Sequence, residues 1–374
     1  MIYLDYNATT PIDKEVAQAM LPFLYGHFGN PSSTHSLGIS AKAAVEQARS
    51  HVASLIHCTP DEILFTSGGS ESNNMVLKGV AHTFRNKGKH IITSVIEHPA
   101  ILKPCTYLEG LGYEVSYVPV DHYGMVNPSD IESLITEKTM LVTVMHSNNE
   151  VGTLQPIEEI GWICKKHGVL FHTDASQSVG KIPIDVHTLG VDFLTIAGHK
   201  LYAPKGVGAL YMQEGLHIES LIHGADHENG RRAGTENILL EVGLGKACEV
   251  AVTELQSGTV KGLTEYFYNK LKESFGKTIV LNGHPEKRLP NTLNISFLGY
   301  DGHKVLGSLI DVAASTGSAC HAGTTAISPV LAAMGVSDRV GRGAVRFSLG
   351  RHTTKEEIDT VMASLQKVIK GVLL

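Results

Sequence analysis

Polar residues that could bind a phosphate group follow the first predicted strand of the chain. The apolar run Ile63–Thr66 leads into Ser-Gly-Gly-Ser-Glu at 67–71, where a helical pattern begins. Glycines let backbone amides turn inward, and the free N–H groups at a helix N-terminus attract anions, phosphate above all. An ordinary strand-to-helix turn capped by Ser70 would have the same sequence, so this segment alone leaves both interpretations open.

Two further predicted strands end in an acid and in a lysine. Asp174 lies in LFHTDASQ at 170–177, and Lys200 ends FLTIAGHK at 193–200. Open α/β sheets bind their ligands at the carboxyl ends of their strands. A lysine desolvated there can act as an amine nucleophile. Taken singly, each residue has a plainer explanation, a capping aspartate and a solvated surface lysine.

Together the three features match the requirements of one cofactor. Pyridoxal 5'-phosphate needs a phosphate site, an acid that pairs with its pyridinium nitrogen, and a lysine that binds it covalently. Here all three occur at strand ends of one predicted sheet. The sequence therefore predicts pyridoxal 5'-phosphate as the cofactor.

The composition is typical of a globular protein with a full hydrophobic core. The chain has 374 residues, 43% hydrophobic and 18% charged, with a net charge of −6. It has no basic tract that favours nucleic acid, no apolar run of the ~20 residues that span a bilayer, and no signal-peptide pattern at its N-terminus. Five scattered cysteines form neither a disulfide framework nor a zinc motif, and no histidine cluster suggests a metal. We therefore expect a cytoplasmic protein without membrane, nucleic-acid or metal partners.

Alternating strands and helices predict an α/β fold with a mostly parallel central sheet. Beyond about residue 255 the pattern changes to a smaller α+β arrangement. We predict a large cofactor-binding domain at 13–255 and a small domain formed by 1–12 and 256–374. The predicted strands cover 63–66, 91–95, 115–119, 141–145, 169–172, 193–196, 207–211, 291–297 and 344–349, and the clearest predicted helices cover 41–55, 72–85, 129–136, 158–166, 263–275 and 355–369.

Ten ordered segments along the whole chain resemble motifs of a known enzyme family. They are YLDYNATTP at 3–11, GNPSSTH at 29–35, TSGGSESNN at 66–74, EHPA at 97–100, NNEVGTLQP at 148–156, HTDASQ at 172–177, GHKLYAPKG at 198–206, RAGTEN at 232–237, GSACHAG at 317–323 and VRFSLGR at 345–351. The chain resembles the fold-type I pyridoxal-phosphate enzymes of the class V aminotransferase group. More narrowly, it is similar to the cysteine desulfurases and their selenocysteine lyase relatives.

The resemblance implies how the cofactor would be held. Lys200 would bind it as an internal aldimine, Asp174 would pair with the pyridinium nitrogen, and Gln177 would hydrogen-bond its phenolic oxygen. The phosphate would be bound by Gly69, Ser70 and His199 and, across a homodimer, by Thr235 of the partner subunit.

The resemblance also implies which residues meet the substrate. Asn149 and Arg346 would hold the carboxylate of L-cysteine or L-selenocysteine, because the planar guanidinium matches a carboxylate with two hydrogen bonds. His98 would lie over the cofactor ring and move protons. Cys320, in a Gly/Ser/Thr-rich loop at 315–328, would take the sulfur as a persulfide and carry it to an acceptor protein or small molecule. His321 is the adjacent acid–base candidate.

The expected activity is conversion of L-cysteine to L-alanine with transfer of the sulfur. The first alternative is a selenocysteine lyase, which uses the same residues. An aminotransferase or an eliminating C–S lyase would need no thiol, so Cys320 argues against both. A cofactor-binding scaffold without turnover is disfavoured by the intact set of Lys200, Asp174, His98 and Cys320.

Three positions depart from the usual desulfurase pattern. Ala197 stands where the family usually has a serine or threonine that donates a hydroxyl to the phosphate. Gly-Ala-Asp at 224–226 replaces a run of three glycines, and His321 is not the commonest residue after the cysteine. Selenocysteine lyases share an apolar residue at the first position and a Cys-His pair, so the selenocysteine alternative stays open.

Overall fold

A computed structural model describes residues 1–316 and 327–370 of the chain. Within these ranges the strands are β1 Ile2–Tyr3, β2 Ile63–Thr66, β3 His90–Ser94, β4 Glu114–Val118, β5 Thr139–Thr143, β6 Leu170–Asp174, β7 Phe193–Ala197, β8 Gly208–Met212, β9 Ile279–Asn282, β10 Thr292–Phe297, β11 Val312–Ala313 and β12 Ala344–Ser348. The helices are α1 Lys14–Tyr25, α2 Ser36–Ile56, α3 Gly69–Thr83, α4 Pro99–Glu109, α5 Pro128–Leu134, α6 Ile157–His167, α7 Val186–Leu189, α8 Ile238–Glu254, α9 Thr259–Phe275, α10 Gly302–Gly307, α11 Pro329–Ala333, α12 Asp338–Gly341 and α13 Lys355–Lys370. None of these helices combines the length and the apolar content needed to cross a membrane.

In the described part of the chain, seven strands form the largest sheet, in the order β2-β8-β7-β6-β5-β3-β4. Adjacent strands from β7 to β4 are parallel, whereas β8 is antiparallel to both β7 and β2. Since only β8 runs in the opposite direction, β2, β6 and β7 end at the same edge of the sheet. That edge is where open α/β sheets bind ligands.

The sheet is covered on both faces. Successive side chains of a strand point to opposite sides, so Leu194 packs into one hydrophobic cluster with Val45 of α2, and Phe193 packs into another with Val76 of α3. Because both faces are buried, the strands are apolar along their whole length. The predicted α/β fold with a mostly parallel sheet is confirmed.

A second, antiparallel sheet joins β12, β10 and β9 in the C-terminal third. Its hydrophobic cluster contains Phe267, Phe347 and Ile358, and also Leu4 from the N-terminus. The strand β1 pairs with β11, which holds the first residues beside the C-terminal third. The division into 13–255 and 1–12 plus 256–374 stays a prediction, and these contacts support it.

The predicted elements agree with the observed ones to within a few residues at most ends. Two departures are informative. The helix predicted from residue 72 begins at Gly69, because its first turn consists of the polar residues of the anion-binding segment. The short strands β1 and β11 escaped prediction because two-residue strands have no alternating pattern to read.

A buried ion pair fixes the segment that precedes the RAGTEN motif. The Arg49 guanidinium donates from Nη1 and Nη2 to the two carboxylate oxygens of Glu228, at 2.7 and 2.8 Å. Phe65 N–H donates to the same carboxylate at 3.0 Å, and both charged residues are buried. Glu228 has a φ of 51°, a left-handed conformation that is uncommon outside glycine. The ion pair therefore stabilises an unfavourable backbone turn.

We expect Arg49→Met to destabilise the protein strongly. It leaves the buried Glu228 carboxylate without its cation, a change that costs roughly 3–5 kcal/mol. The matched control is Lys166→Met, which breaks the 2.8 Å pair with Glu132 at the surface and should change stability little. Urea unfolding of the three proteins measures the difference. Equal stability of the two variants would mean that the buried pair has no structural role.

Candidate active site

A cavity of about 750 Å³ lies at the edge of the large sheet where β2, β6 and β7 end. Most residues predicted for the site line it. They are Gly69, Ser70, His98, Asn149, Asp174, Gln177, His199, Lys200 and Arg346. Thr235 is exposed and is not among the residues that line this cavity. Cys320 and His321 lie outside the described residues.

The glycine turn after β2 forms a cradle at one end of the cavity. Gly68 has a φ of 146°, which L side chains rarely adopt. A Cβ on Gly69 would lie 3.0 Å from the Ser176 hydroxyl and 3.4 Å from the Ala197 Cβ, so neither position suits a larger residue. The first N–H groups of α3 have no partner within the helix. They are available to an anion bound in the cradle.

The carboxylate of Asp174, the last residue of β6, is held in place by two donors. Asn73 Nδ2 donates to Asp174 Oδ2 at 2.7 Å, and Ser176 N–H donates to Oδ1 at 3.0 Å. Asp174 is 8% exposed and lines the cavity. Among the described residues, Asn73 Oδ1 is buried without a hydrogen-bond partner. An acid so held can pair with a cation in the cavity.

Lys200 follows β7 in a 3₁₀ turn, Gly198–Lys200, which brings its side chain back towards the N-terminal segment. Its Nζ donates to the carbonyl oxygens of Asn7, at 2.5 Å, and Ala8, at 2.8 Å. Burial lowers the pKa of Lys200 to about 8, and the Arg346 cation adds to this effect, which Asp174 and Asp5 oppose. About a tenth of the amine is therefore neutral, and hence nucleophilic, at pH 7, far more than for an ordinary lysine.

The two predicted histidines both line the cavity that contains Lys200. His98 caps α4, where its Nδ1 accepts a hydrogen bond from Ala100 N–H at 3.1 Å. Its ring is open to the cavity, and desolvation by the cavity walls lowers its pKa, an effect that Asp174 opposes. His199 lies 3.2 Å from the Thr9 hydroxyl, and burial, reinforced by nearby cations, lowers its pKa to about 4. His199 is therefore neutral near pH 7.

Arg346 is buried, although its side chain faces the cavity. Its Nη2 donates to Asp5 at 2.7 Å, and its Nη1 donates to the backbone oxygen of Asn149 at 3.0 Å. Its Nε is buried without a hydrogen-bond partner among the described residues. The predicted pair of Asn149 and Arg346 is thus brought together, and Asp5 is an additional partner that the sequence did not suggest.

The segment that contains Thr235 is attached to the glycine turn after β2 by an ion pair. Arg232, three residues earlier, pairs with Glu71 at 2.8 Å, and Glu71 accepts a hydrogen bond from Ser67 N–H. Thr235 itself is exposed on the outside of the chain. Its predicted contact with a phosphate in the partner subunit stays a prediction.

Three polar residues near the site were not predicted from the sequence. Asn7 is buried and contacts Lys200, Gln177 and Lys181. Asn73 and Ser176 donate to Asp174. The NATT run at 7–10 and the SNN run at 72–74 belong to recognised motifs. The sequence did not assign partners to Asn7 and Asn73, because each contacts residues at least a hundred positions away, and Ser176 contributes through its backbone N–H, which its side chain does not reveal.

Comparison with known proteins gives the family. The family model for aminotransferase class V matches residues 2–361. The chain belongs to the class V aminotransferase family. Members of this family depend on pyridoxal 5'-phosphate.

The chain is similar over nearly its whole length to curated cysteine desulfurases. It is 48% identical to the cysteine desulfurase IscS of Dictyoglomus turgidum, over 99% of this chain and 94% of the relative. It is 46% identical to the cysteine desulfurase IscS of Methanosarcina thermophila, over 99% and 92%. Among solved structures it is similar to a NifS-like protein, with a TM-score of 0.92 and 39% identity over 99% of both chains. It is also similar to SspA in complex with cysteine, with a TM-score of 0.85 and 37% identity over 95% of this chain and all of that one.

The residues around the cavity fit the family cofactor. The glycine cradle at Gly68 and Gly69 leaves space and N–H donors for a phosphate. Asp174 supplies an oriented carboxylate for a pyridinium nitrogen, and Lys200 supplies an amine whose pKa is lowered. These residues therefore match the phosphate, the ring nitrogen and the aldehyde of pyridoxal 5'-phosphate.

Ala197 leaves the cradle without the usual hydroxyl, and we expect Ala197→Ser to improve cofactor retention. Ala197 is buried and lines the cavity beside Gly69. A serine hydroxyl there would add a hydrogen bond to a charged phosphate, worth roughly 1.5–3 kcal/mol. Loss of cofactor absorbance during dialysis measures the change. Equal or faster loss would mean that other donors, such as Ser176, already satisfy that phosphate oxygen.

Proposed function

We propose that this protein is a pyridoxal-phosphate-dependent cysteine desulfurase, which converts L-cysteine to L-alanine and transfers the sulfur. The observation that carries the proposal is the meeting of Lys200, Asp174 and the Gly69 cradle in one cavity. Its full-length similarity to cysteine desulfurases IscS, at up to 48% identity, supports the substrate. A similar solved structure contains bound cysteine.

The cofactor would be held by residues of three strand ends. Lys200 would bind it covalently, Asp174 would keep its ring nitrogen protonated, and Gln177 would donate to its phenolic oxygen. Its phosphate would be bound by Gly69, Ser70 and His199 of this chain and by Thr235 of the partner subunit. When bound, the cofactor stabilises negative charge on the α-carbon of the amino acid.

The substrate would be oriented by its carboxylate. Arg346 has a buried Nε without a partner among the described residues, so it can gain a hydrogen bond when a carboxylate enters. Asn149 lies beside it and lines the same cavity. Lys200, released from its covalent attachment when the substrate amine takes its place, would then take the α-proton, because a pKa of about 8 suits a base near neutral pH. His98, which faces the cavity, moves the remaining protons.

Cys320 would receive the sulfur. Its thiolate attacks the substrate sulfur, so that an S–S bond forms as the C–S bond breaks. The electron pair of the broken bond stays with the carbon fragment, which leaves as L-alanine after protonation. Cys320 is left as a persulfide, and an acceptor protein or small molecule takes its terminal sulfur. This role rests on the sequence, since Cys320 lies outside the described residues.

The functional unit would be a homodimer. Thr235 is exposed outside the cavity of its own chain, as a residue that serves a partner must be. A patch of exposed apolar side chains on α1 and the segment after it includes Tyr25 and Phe28, which are 83% and 74% exposed. Apolar patches of this kind are typical of interfaces between subunits.

We also propose a cytoplasmic location. It is supported by four free thiols among the described residues, those of Cys58, Cys105, Cys164 and Cys248.

One assay tests the function. Purified protein with pyridoxal 5'-phosphate is given L-cysteine or L-selenocysteine, and alanine and protein-bound persulfide are measured side by side. We expect alanine and persulfide from L-cysteine in equal amounts in the first turnover. Alanine from L-selenocysteine alone would instead identify a selenocysteine lyase, and would leave the cofactor site unchanged.

A further inference from the structure

A second lysine lies behind the proposed cofactor site. Lys181 Nζ is 2.9 Å from Gln177 Oε1 and 3.0 Å from Asn7 Oδ1. Lys181 is not among the residues that line the large cavity, but borders a smaller cavity of about 230 Å³. It therefore contacts neither the proposed substrate site nor the proposed phosphate site directly.

We propose that Lys181 is a positioning residue that fixes the side-chain amide of Gln177 so that its NH₂ group, and not its oxygen, faces the cofactor. This inference rests on the proposed function. It concerns only the residue that orients Gln177.

The argument follows from what each group can donate. A lysine ammonium group only donates, so the atom of Gln177 that faces Lys181 is the oxygen Oε1. The Gln177 Nε2 is then directed to the opposite side, where it donates to the Asn7 carbonyl at 3.0 Å. Lys200 Nζ donates to that same carbonyl. The NH₂ group of Gln177 is thus held next to the lysine that would bind the cofactor.

The side chain of Asn7 is fixed by the same lysine. Asn7 Oδ1 accepts from Lys181 and, at 3.0 Å, from Asn291 Nδ2. Asn7 Nδ2 is consequently turned the other way and donates to the Thr292 hydroxyl at 2.8 Å. The Gln177 amide is thus held from both sides, by Lys181 at its oxygen and by the Asn7 carbonyl at its NH₂ group, and Lys181 also helps to orient the Asn7 amide.

The amine of Lys181 is matched by two acceptor oxygens. Burial lowers its pKa well below the ordinary lysine value, and the Lys200 and Arg346 cations lower it further. The side-chain oxygens of Gln177 and Asn7, which accept from Nζ, oppose this effect by stabilising the ammonium form, and in that form the group can only donate.

The test is a double-mutant cycle on cofactor affinity. Lys181→Met keeps the length of the stem and removes both donors, so that Gln177 can turn its oxygen towards the phenolic oxygen of pyridoxal 5'-phosphate. We expect the dissociation constant of the cofactor to rise about tenfold or more, the value of one hydrogen bond to a charged group. In the Gln177→Met background, where the amide that would face the cofactor is absent, Lys181→Met should change it less than about twofold. Lys181→Arg, which keeps a donor-only group, should remain near the wild type.

Titration of the apo-proteins with pyridoxal 5'-phosphate, followed by absorbance, gives each constant, and unfolding of the apo-proteins checks the fold. If Lys181→Met does not fold, Lys181→Ala, which leaves room for water, is used in the same cycle. An equal loss of affinity in both backgrounds, or no loss in either, overturns the positioning role and leaves the proposed function intact. A wild-type protein that binds no pyridoxal 5'-phosphate refutes the proposed function itself, and the role of Lys181 with it.

Discussion

Replacing Cys320 with alanine is expected to abolish alanine formation from L-cysteine while binding of pyridoxal 5'-phosphate is retained. A cysteine thiolate is a poor leaving group from carbon, so breaking the C–S bond requires a nucleophile at sulfur. Selenium is held less tightly, and activity on L-selenocysteine can partly persist in the same variant. The measurement is alanine formed per bound cofactor with each substrate, together with persulfide trapping on the wild-type protein.

The other cysteines support this assignment by exclusion. Burial raises the pKa of the Cys58, Cys105 and Cys164 thiols to about 12, and it raises that of Cys248 as well. Only the thiolate is an effective nucleophile, so these four residues are poorly suited to attack sulfur near pH 7. Cys58→Ala is the matched control and should retain full activity. Desulfuration of L-cysteine by Cys320→Ala at the wild-type rate would refute the mechanism proposed here.

The site residues at the strand ends were predictable, because a local sequence pattern marks where each strand ends. A buried parallel strand is an apolar run, and the polar residue that ends it lies at the sheet edge. Asp174 and Lys200 end such runs and line one cavity, as expected. The turn at Gly68 and Gly69 was equally predictable, because a strand followed by two glycines and a helix allows few backbone conformations between them.

The N-terminal contribution to the site was not predictable in the same way. Asn7 contacts Gln177 and Lys181 across about 170 positions of sequence, and Asp5 contacts Arg346 across 341. Such pairs depend on where the small antiparallel sheet docks, which no local pattern specifies. The ion pair of Arg346 with Asp5 illustrates the consequence, because the sequence predicted only the substrate carboxylate as a partner of Arg346 and did not suggest Asp5.

The second large effect is expected for Lys200. In Lys200→Ala, pyridoxal 5'-phosphate should bind without covalent attachment, and alanine formation should fall by about 10²–10⁴-fold, the usual value of a positioned acid–base group. Small primary amines added to the assay should restore part of the rate by replacing the missing group. Lys165→Ala, on the exposed face of α6, is the control and should behave as the wild type. An unchanged rate in Lys200→Ala would exclude this lysine as the base.

The lowered pKa of Lys200 gives a readout that does not depend on activity. In the wild-type apo-protein, the neutral fraction of this amine increases as the pH rises through about 8, whereas an ordinary lysine requires a pH of roughly 10.4. Acylation of Lys200 by an amine-selective reagent, followed by peptide mapping, should therefore have its midpoint about two units lower than that of surface lysines. Because burial is the main cause and the Arg346 cation the next, Arg346→Met should raise the midpoint, although burial continues to hold it below the ordinary value. A midpoint at the ordinary lysine value in the wild type would mean that the amine is solvated, and would remove the physical basis for its role as nucleophile and base.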